Sequence, residues 1–431
     1  MSKTIRVAIA GIGNCASALL QGLVFYKDHD SSQPIPGVMN SIIGGYSIQD
    51  IEIVAAFDVD SRKVGKTLGN AIYSLPNCSR EFADKNEVIA QYSNVIVQKS
   101  PTLDGIAYYT TLMPEDFGFR PDTTTPDVNV AEVLKSVNAD VLINYLPVGS
   151  RQATENLAEA CLESKVAFMN CIPEFIVSKP EWEQRFYEAG IPAIGDDMKS
   201  QVGTSVISQI MQEMLIDRGA MNHYVPDYYK RTNERSTDHA FSHHIQMNIG
   251  GSKTDWSTLA GQQYIIAKLV ADGKGPGDPD FDKVSAEFRL GSKKESKENV
   301  LRSQYAIRGL DAPEYGMFAG PAMMFPRALT TEKIGHIEMK GNGWGGAPIR
   351  VFTRLEIEDD ANSAGVVADA IRCLAYAKDI GIAGAVYGGS AFTQKTPPKQ
   401  YRYGDAAREM QAFAECDVEY IKAHTDNRFI K

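Results

Sequence analysis

A chain of 431 residues, 43% hydrophobic and 23% charged, can bury more core than one average domain needs, so two domains or one domain with a large insertion are expected. A formal net charge of -10 and a pI near 5.3 argue against a sequence-independent grip on nucleic acid. No run of roughly 18 apolar residues, no apolar leader and no CxxC pair among Cys15, Cys78, Cys161, Cys171, Cys373 and Cys416 occur, which predicts a cytoplasmic, membrane-free chain with reduced thiols.

Residues Ile5 to Ala10 are a short apolar run, GIGNCA follows, and from Asn14 to Tyr26 the apolar spacing turns helical. A loop rich in Ser, Pro and Gly (30 to 46) leads to a second strand, IEIVAAFDVD, after which SRKVGKTLGNAIY is spaced as a helix. SNVIVQKS and ADVLINYLP then read as strands, SRQATENLAEACLES as a helix, VAFMNCIP as a strand, PEWEQRFYEAG as a helix ending at Gly190, and IPAIGDD as a strand. Strands alternating with helices in this way predict an α/β fold with a doubly wound parallel sheet.

Beyond the helix of SQVGTSVISQIMQEMLIDRG the pattern changes. Residues 219 to 246 lack a clear period and are expected to form an irregular insertion. IRVFTRLEIE places Ile349, Val351, Leu355 and Ile357 on one face, as a half-buried strand of a second sheet would, and HIEMK pairs with it through GNGWGGAP. NSAGVVADAIRCLAYAKDIG and GDAAREMQAFAECDVEYIKAH return to helical spacing.

Three stretches carry chemistry. GIGNCA matches G-x-G-x-x-G/A at Gly11, Gly13 and Ala16, between a strand and a helix, where glycines let the backbone approach a pyrophosphate and the helix N-terminus offers N–H donors. Asp58, ending the second strand, is the expected ribose acceptor and favours NAD over NADP, although neighbouring Arg62 and Lys63 weaken that preference. A glycine turn in a sheet that binds no nucleotide is the competing reading. Cys15, at the start of a helix, is expected to have a lowered pKa there, but packing under a cofactor suits it better than nucleophilic catalysis.

In RLGSKKESKENV, Ser292 and Glu295 form an S-x-x-E capping box, so a helix is expected from Ser292 with Lys293 and Lys297 on one face. Cations in a first turn oppose the helix dipole, which suits anion binding or catalysis, while a solvated charged face fits the same spacing. The third stretch, GDDMKSQVGTS, ends a sheet strand with Asp196 and Asp197 and opens a helix near Ser200. It reads either as a phosphate cradle beside carboxylates or as a simple helix cap. His239, His243 and His244 lack the Glu of H-E-x-x-H and read as polar loop residues.

Together, VAIAGIGNCASALLQG, VAAFDVDSRKVGK, NVIVQKSPTLDGI, INYLPVGS, GDDMKSQVGTS, MNIGG with Asp255, RLGSKKESK, EDDANSAGVVADAIRCLAYAKDIGIAG and AFTQKTPP make the chain resemble the inositol-3-phosphate synthase (myo-inositol-1-phosphate synthase) family, in its bacterial branch. The resemblance spans nearly the whole chain in one order. It implies a Rossmann NAD-binding domain over residues 1 to 198, completed by C-terminal helices 361 to 431, and an inserted α+β catalytic and tetramerisation domain over 199 to 360. The implied reaction is NAD-dependent cyclisation of D-glucose 6-phosphate to 1D-myo-inositol 3-phosphate, by oxidation at C5, enolisation, intramolecular aldol closure and reduction.

By motif, the resemblance assigns the catalytic lysines to Lys293, Lys297, Lys333 (in TTEKIGH) and Lys395 (in FTQKTPP), with Lys297 and Lys395 moving protons at C5 and Lys293 and Lys333 stabilising oxyanions. Asp197 and Asp359 would orient lysines and, with Asp360, lie near a divalent metal ion. Ser200, Gln201, Val202 and Gly203 would hold the phosphate, and Asn248 would face the sugar. Gly11, Gly13, Asn14, Cys15, Ala16, Asp58, Asn144, Leu146 and Pro147 would line the cofactor, and the assembly would be a homotetramer. The chain departs from the family pattern in a longer 219 to 246 connection, a residue inserted between Gly251 and Asp255, Glu295 in place of an apolar residue and Asp360 in place of a serine. Alternative readings are a related carbocycle-forming enzyme for another sugar phosphate, a simple NAD-dependent oxidoreductase, or a non-catalytic nucleotide sensor.

Overall fold

The computed structural model describes residues 4–115, 118–220, 243–249, 259–286, 291–312, 317–321 and 332–425. Among these the strands, in chain order, are β1 (Ile5–Ala10), β2 (Ile42–Ile43), β3 (Tyr46–Ser47), β4 (Ile51–Asp58), β5 (Val97–Lys99), β6 (Val141–Asn144), β7 (Ala167–Asn170), β8 (Pro192–Ile194), β9 (His243–Ile249), β10 (Met317–Pro321), β11 (Glu332–Asn342), β12 (Pro348–Glu358) and β13 (Gly384–Ala385).

Successive side chains of a strand point to opposite faces, so a strand covered on both sides must be apolar throughout. In β1, Val7 and Ile9 enter one core while Ala8 and Ala10 enter the other. The first core is closed by the helices Asn14–Phe25, Asp359–Asp379 and Tyr403–Glu415, through Leu19, Leu20, Ile371, Leu374, Met410 and Phe413. The second is closed by Val130–Ser136, Arg151–Ser164 and Pro180–Ala189, through Leu134, Leu157, Trp182 and Phe186. The sheet between them is parallel, in the order β13-β8-β7-β6-β1-β4-β5. Its order reverses between β1 and β6, the place where ligands of open α/β sheets bind.

At that switch point Gly11 has φ +93, and a Cβ there would sit 2.6 Å from the carbonyl oxygen of Tyr145, so only glycine lets the ends of β1 and β6 meet. The last strand, β13, comes from the C-terminal part of the chain, and its two residues were not separable from the helix sequence that precedes them.

The second sheet runs β10-β9-β11-β12, with β11 and β12 paired antiparallel from Glu332 opposite Glu358 to Asn342 opposite Pro348. This is the hairpin through GNGWGGAP that the sequence predicts. Ile337 and Met339 of β11 pack with Ile349 and Val351 of β12 against Leu215 of the helix Thr204–Asp217. β9 occupies the end of the expected irregular insertion, and most of the rest of that insertion lies outside the described residues.

Two expectations change in detail. SRKVGKTLGNAIY is helical only over Leu68–Ala71, because Gly65 (φ +80) donates its N–H to Val97 at 2.9 Å and Lys63 turns inward to the Ile12 carbonyl at 2.7 Å. The expected final helix is broken at Cys416 (φ +58), where Asp417 accepts from the Tyr420 N–H and starts a new turn.

The helix Asp359–Asp379 anchors the loop before β2 through a fully buried ion pair. Arg372 and Asp369 are both 0% exposed; Arg372 also donates to the Ser41 carbonyl at 3.0 Å, and Asn40 donates to Asp369 at 2.8 Å. Asp369→Ala leaves the guanidinium buried without its carboxylate and is expected to cost about 3–5 kcal/mol. Denaturant midpoints check this; a loss below about 1 kcal/mol would show that the pair contributes nothing beyond packing.

Candidate active site

The glycine turn after β1 is braced from below. Asp58 accepts the Ile12 N–H at 2.8 Å on one oxygen and the Val59 and Asp60 N–H groups at 2.7 and 2.9 Å on the other. Its carboxylate therefore shapes the turn as well as standing at the expected ribose position. Arg62 is engaged by Asp60 and by the Glu115 and Gly118 carbonyls, and buried Lys63 by Ile12 and Asn77. Neither cation that weakened the preference for NAD is directed outward.

The residues fit a dinucleotide. A Cβ at Gly13 would meet nothing within 4 Å, and no side chain caps the helix Asn14–Phe25 at that residue, so its first N–H groups and dipole address open space beside the turn. Asn14 accepts from the Cys78 N–H at 2.8 Å, and Ala16 is wholly buried behind the turn. Asn144, at the end of β6, is also wholly buried. It donates to Asn170 and Thr154 at 2.9 and 3.0 Å and accepts from the Leu146 N–H at 3.1 Å, which sets the bend through Leu146 and Pro147.

Beside this turn lies a cavity of about 200 Å³, lined by residues from widely separated stretches of sequence. Lys297 comes from the helix Gly291–Ala306, Lys333 from β11, Asp359 and Asp360 from the start of the helix Asp359–Asp379, and Asp197 and Lys395 from the ends of two neighbouring segments. Lys395 donates to Asp197 at 2.8 Å, and Lys333 pairs with Asp359, which also accepts from Ser200 at 3.4 Å. Lys297 is only 5% exposed. Three of the four expected lysines thus share one cavity with both expected carboxylates. The side chains of Lys293 and Asn248 lie outside the described residues, although their backbones are in place: Lys293 in the first turn of a helix that begins at Gly291, one residue before the expected start, and Asn248 in β9 opposite Gly335.

The adjacent carboxylates at the end of β8 have separate tasks. Asp196 is fully buried and accepts from Asn170, from the Ile176, Val177 and Ser178 N–H groups and from the Ser178 hydroxyl, which makes it structural; burial raises its pKa. Asp197 has φ +63, a strained position for a non-glycine residue, and this turns its carboxylate toward Lys395. Among the described residues the other Asp197 oxygen is buried and meets no hydrogen-bond donor.

The expected phosphate loop divides. Ser200 and Gly203 line the cavity together with Thr204 and Ser205, two residues that sequence reading missed. Gln201 and Val202 turn away: their N–H groups donate to the backbone carbonyl and side chain of Asn362 at 3.0 and 3.1 Å, and the Val202 side chain is 53% exposed. No local signal reveals this, because Asn362 lies 160 residues further along the chain. Lys199 was missed as well. It is 4% exposed, donates to the Ala391 carbonyl at 2.7 Å, and has its pKa pulled down to about 7 by burial first and by Lys395 second.

Cys15 overturns the expectation of a lowered pKa. Burial, then Asp360 and Asp359, raise it well above the ordinary value, and its thiol donates to Asp360 at 3.5 Å. Alkylation at mildly alkaline pH is expected to label exposed Cys416 and spare Cys15, as peptide mass spectrometry would show; rapid labelling of Cys15 would contradict the carboxylate contact.

The resemblance also implied a divalent cation near Asp197, Asp359 and Asp360. Among the described residues no three His, Cys, Asp or Glu side chains converge on one point, and Asp197 and Asp359 each face an ammonium group. As arranged, these residues do not fit a resident cation. The described residues also hold no helix long and apolar enough to cross a membrane.

Against known proteins, no family model matches the chain. It is 35% identical over 413 residues to the inositol-3-phosphate synthase of Mycolicibacterium smegmatis, covering 95% of this chain and 98% of that one. To the inositol-3-phosphate synthase of Corynebacterium glutamicum it is 34% identical over 415 residues, covering 96% and 98%. The crystal structure of inositol-3-phosphate synthase from Caenorhabditis elegans has the same fold, with a TM-score of 0.66 at 12% identity, over 97% of this chain and 86% of that one. With relatives this similar along almost its entire length, and with its motif lysines gathered in one cavity, the chain belongs to the inositol-3-phosphate synthase family.

Proposed function

We propose that the chain is an inositol-3-phosphate synthase, an isomerase that converts D-glucose 6-phosphate to 1D-myo-inositol 3-phosphate with NAD recycled in each turnover. The observation that carries this reading is the convergence of Lys297, Lys333 and Lys395 with Asp197 and Asp359 on a cavity that reaches Cys15, within the dinucleotide turn. When bound, the dinucleotide supplies a hydride acceptor at the start of the cycle and a hydride donor at its end.

The side chains of the chain do the remaining work. The helix start at Thr204 and Ser205, with Ser200, faces the substrate phosphate with N–H and O–H donors. Lys395, as the free amine and with Lys297 lining the same cavity, accepts the C5 hydroxyl proton as that carbon is oxidised. Asp197 holds the Lys395 nitrogen in place and stabilises the ammonium that forms once the proton has arrived. Loss of a proton from C6 then places negative charge on the C5 oxygen, and ring closure places it on the C1 oxygen. Lys333, held by Asp359, stands as a cation for these oxyanions, and the family resemblance gives Lys293 the same task.

A divalent cation would have to displace an ammonium from Asp197 or Asp359, and no step here is routed through one. The homotetramer is supported by the second sheet, whose edge strand β12 exposes Phe352 and runs 11 residues without a partner on its outer side among the described residues.

Product analysis tests the assignment: purified protein with NAD is given a panel of hexose and pentose phosphates and the products are identified by phosphorus NMR. An inositol phosphate formed from glucose 6-phosphate alone is expected. A carbocycle from another sugar phosphate would transfer the same chemistry to a different substrate, and NAD binding without any product would favour the sensor.

A further inference from the structure

Beyond the lysines that face the cavity, one lysine lies behind it. Resting on the reading of the cavity given above, we propose that Lys199 is a positioning residue whose buried ammonium pins the end of the helix Tyr387–Thr393, and through it Lys395, in register against Asp197.

The geometry is a short antiparallel pairing between residues 196–199 and 393–396. Asp196 and Thr396 exchange backbone hydrogen bonds at 2.8 and 3.0 Å, Met198 bridges Gln394, the Lys395 N–H donates to the Asp197 carbonyl at 2.7 Å, and the Lys199 N–H donates to Thr393 at 2.8 Å. Alternation along such a pair puts Asp197 and Lys395 on the side of the cavity. Lys199 makes the last rung, and its side chain reaches Ala391 in the final turn of the helix and gives that terminal carbonyl a charged donor.

Its charge has little local compensation. Glu213 of the helix Thr204–Asp217 attracts it, Lys395 repels it, and the contact it makes is a neutral carbonyl. Burying a cation against a carbonyl is a poor source of stability. Its effect is therefore expected to be geometric, on where Lys395 points. A methionine of similar shape relieves the buried charge and removes the pin. An arginine restores a donor, and the cavity of about 60 Å³ that Lys199 lines with Met39, Val206 and Phe392 gives its extra atoms room.

The test uses the full chain with NAD and compares wild type, Lys199→Met and Lys199→Arg for kcat, KM for glucose 6-phosphate, NAD affinity, thermal midpoint and the isotope effect with substrate deuterated at C5. For Lys199→Met, kcat is expected to fall about 10- to 100-fold with KM and NAD affinity within about threefold of wild type, since misplacing a reacting group by an ångström has that scale of effect. The isotope effect should rise as hydride removal becomes slower, and Lys199→Arg should recover most of the rate. The proposal is overturned if Lys199→Met keeps kcat within about threefold of wild type, or if both variants lose NAD affinity and thermal midpoint in parallel with rate. Wild-type turnover measured alongside separates this failure from failure of the cavity reading itself.

Discussion

Lys395→Met is expected to lower kcat by about 10³-fold or more while leaving NAD affinity intact. The Lys395 nitrogen sits 2.8 Å from Asp197, on a segment fixed by three backbone hydrogen bonds to residues 196 and 197, so the amine is presented rigidly. Methionine removes the proton acceptor and also leaves buried Asp197 without its ion-pair partner Lys395, which adds a loss of stability to the loss of rate. Lys395→Arg separates these effects. A guanidinium can pair with Asp197 but does not give up its proton at working pH, so stability is expected to return and turnover is not. Steady-state kinetics with equilibrium dialysis of NAD check both variants, and an arginine variant within about tenfold of wild type would remove Lys395 from proton transfer.

The second large effect is expected at the other ion pair. Asp359→Asn should reduce kcat by about 10²- to 10³-fold, because Lys333 loses the carboxylate that holds it and Ser200 loses part of its acceptor. Lys333→Met should do the same by removing the cation itself. If the two act as one unit, the double variant is expected to be no slower than the slower single variant, since effects within a coupled pair are not additive. Full additivity of the two losses would mean that Asp359 acts on the reaction independently of Lys333.

Much of the site was legible because its signals are local. Gly11 and Gly13 announce a turn between a strand and a helix, and the chain does reverse its strand order there. Lys297, Lys333 and Lys395 lie in stretches that resemble a known family, and the fold gathers them although the outer two are 98 positions apart. The alternation in IRVFTRLEIE identified β12, because one buried and one open face leave that imprint.

What stayed hidden depends on distant partners. Asp196 and Asp197 are equivalent in sequence, and only the backbone N–H groups of residues 176–178 make the first structural. Gln201 and Val202 look like cradle residues until Asn362 takes their amides. Lys199 has no signature at all, since its role requires Ala391 on a helix 192 residues away. Helical spacing in residues 61–73 was overridden by Gly65 and by the inward pull on Lys63, a tertiary effect that propensity does not register. Cys15 was misjudged because the helix N-terminus is visible in sequence and the carboxylates of residues 359 and 360 beside it are not.

The central claim is that one cavity carries out oxidation, ring closure and reduction without releasing the reduced cofactor. Its most direct test is to incubate the purified chain with glucose 6-phosphate and NAD held well below the substrate concentration, following inositol phosphate by phosphorus NMR and NADH by absorbance. Product in large molar excess over NAD, with no steady accumulation of NADH, is the result this account predicts. NADH accumulating in step with oxidised sugar phosphate, and no carbocycle, would contradict it.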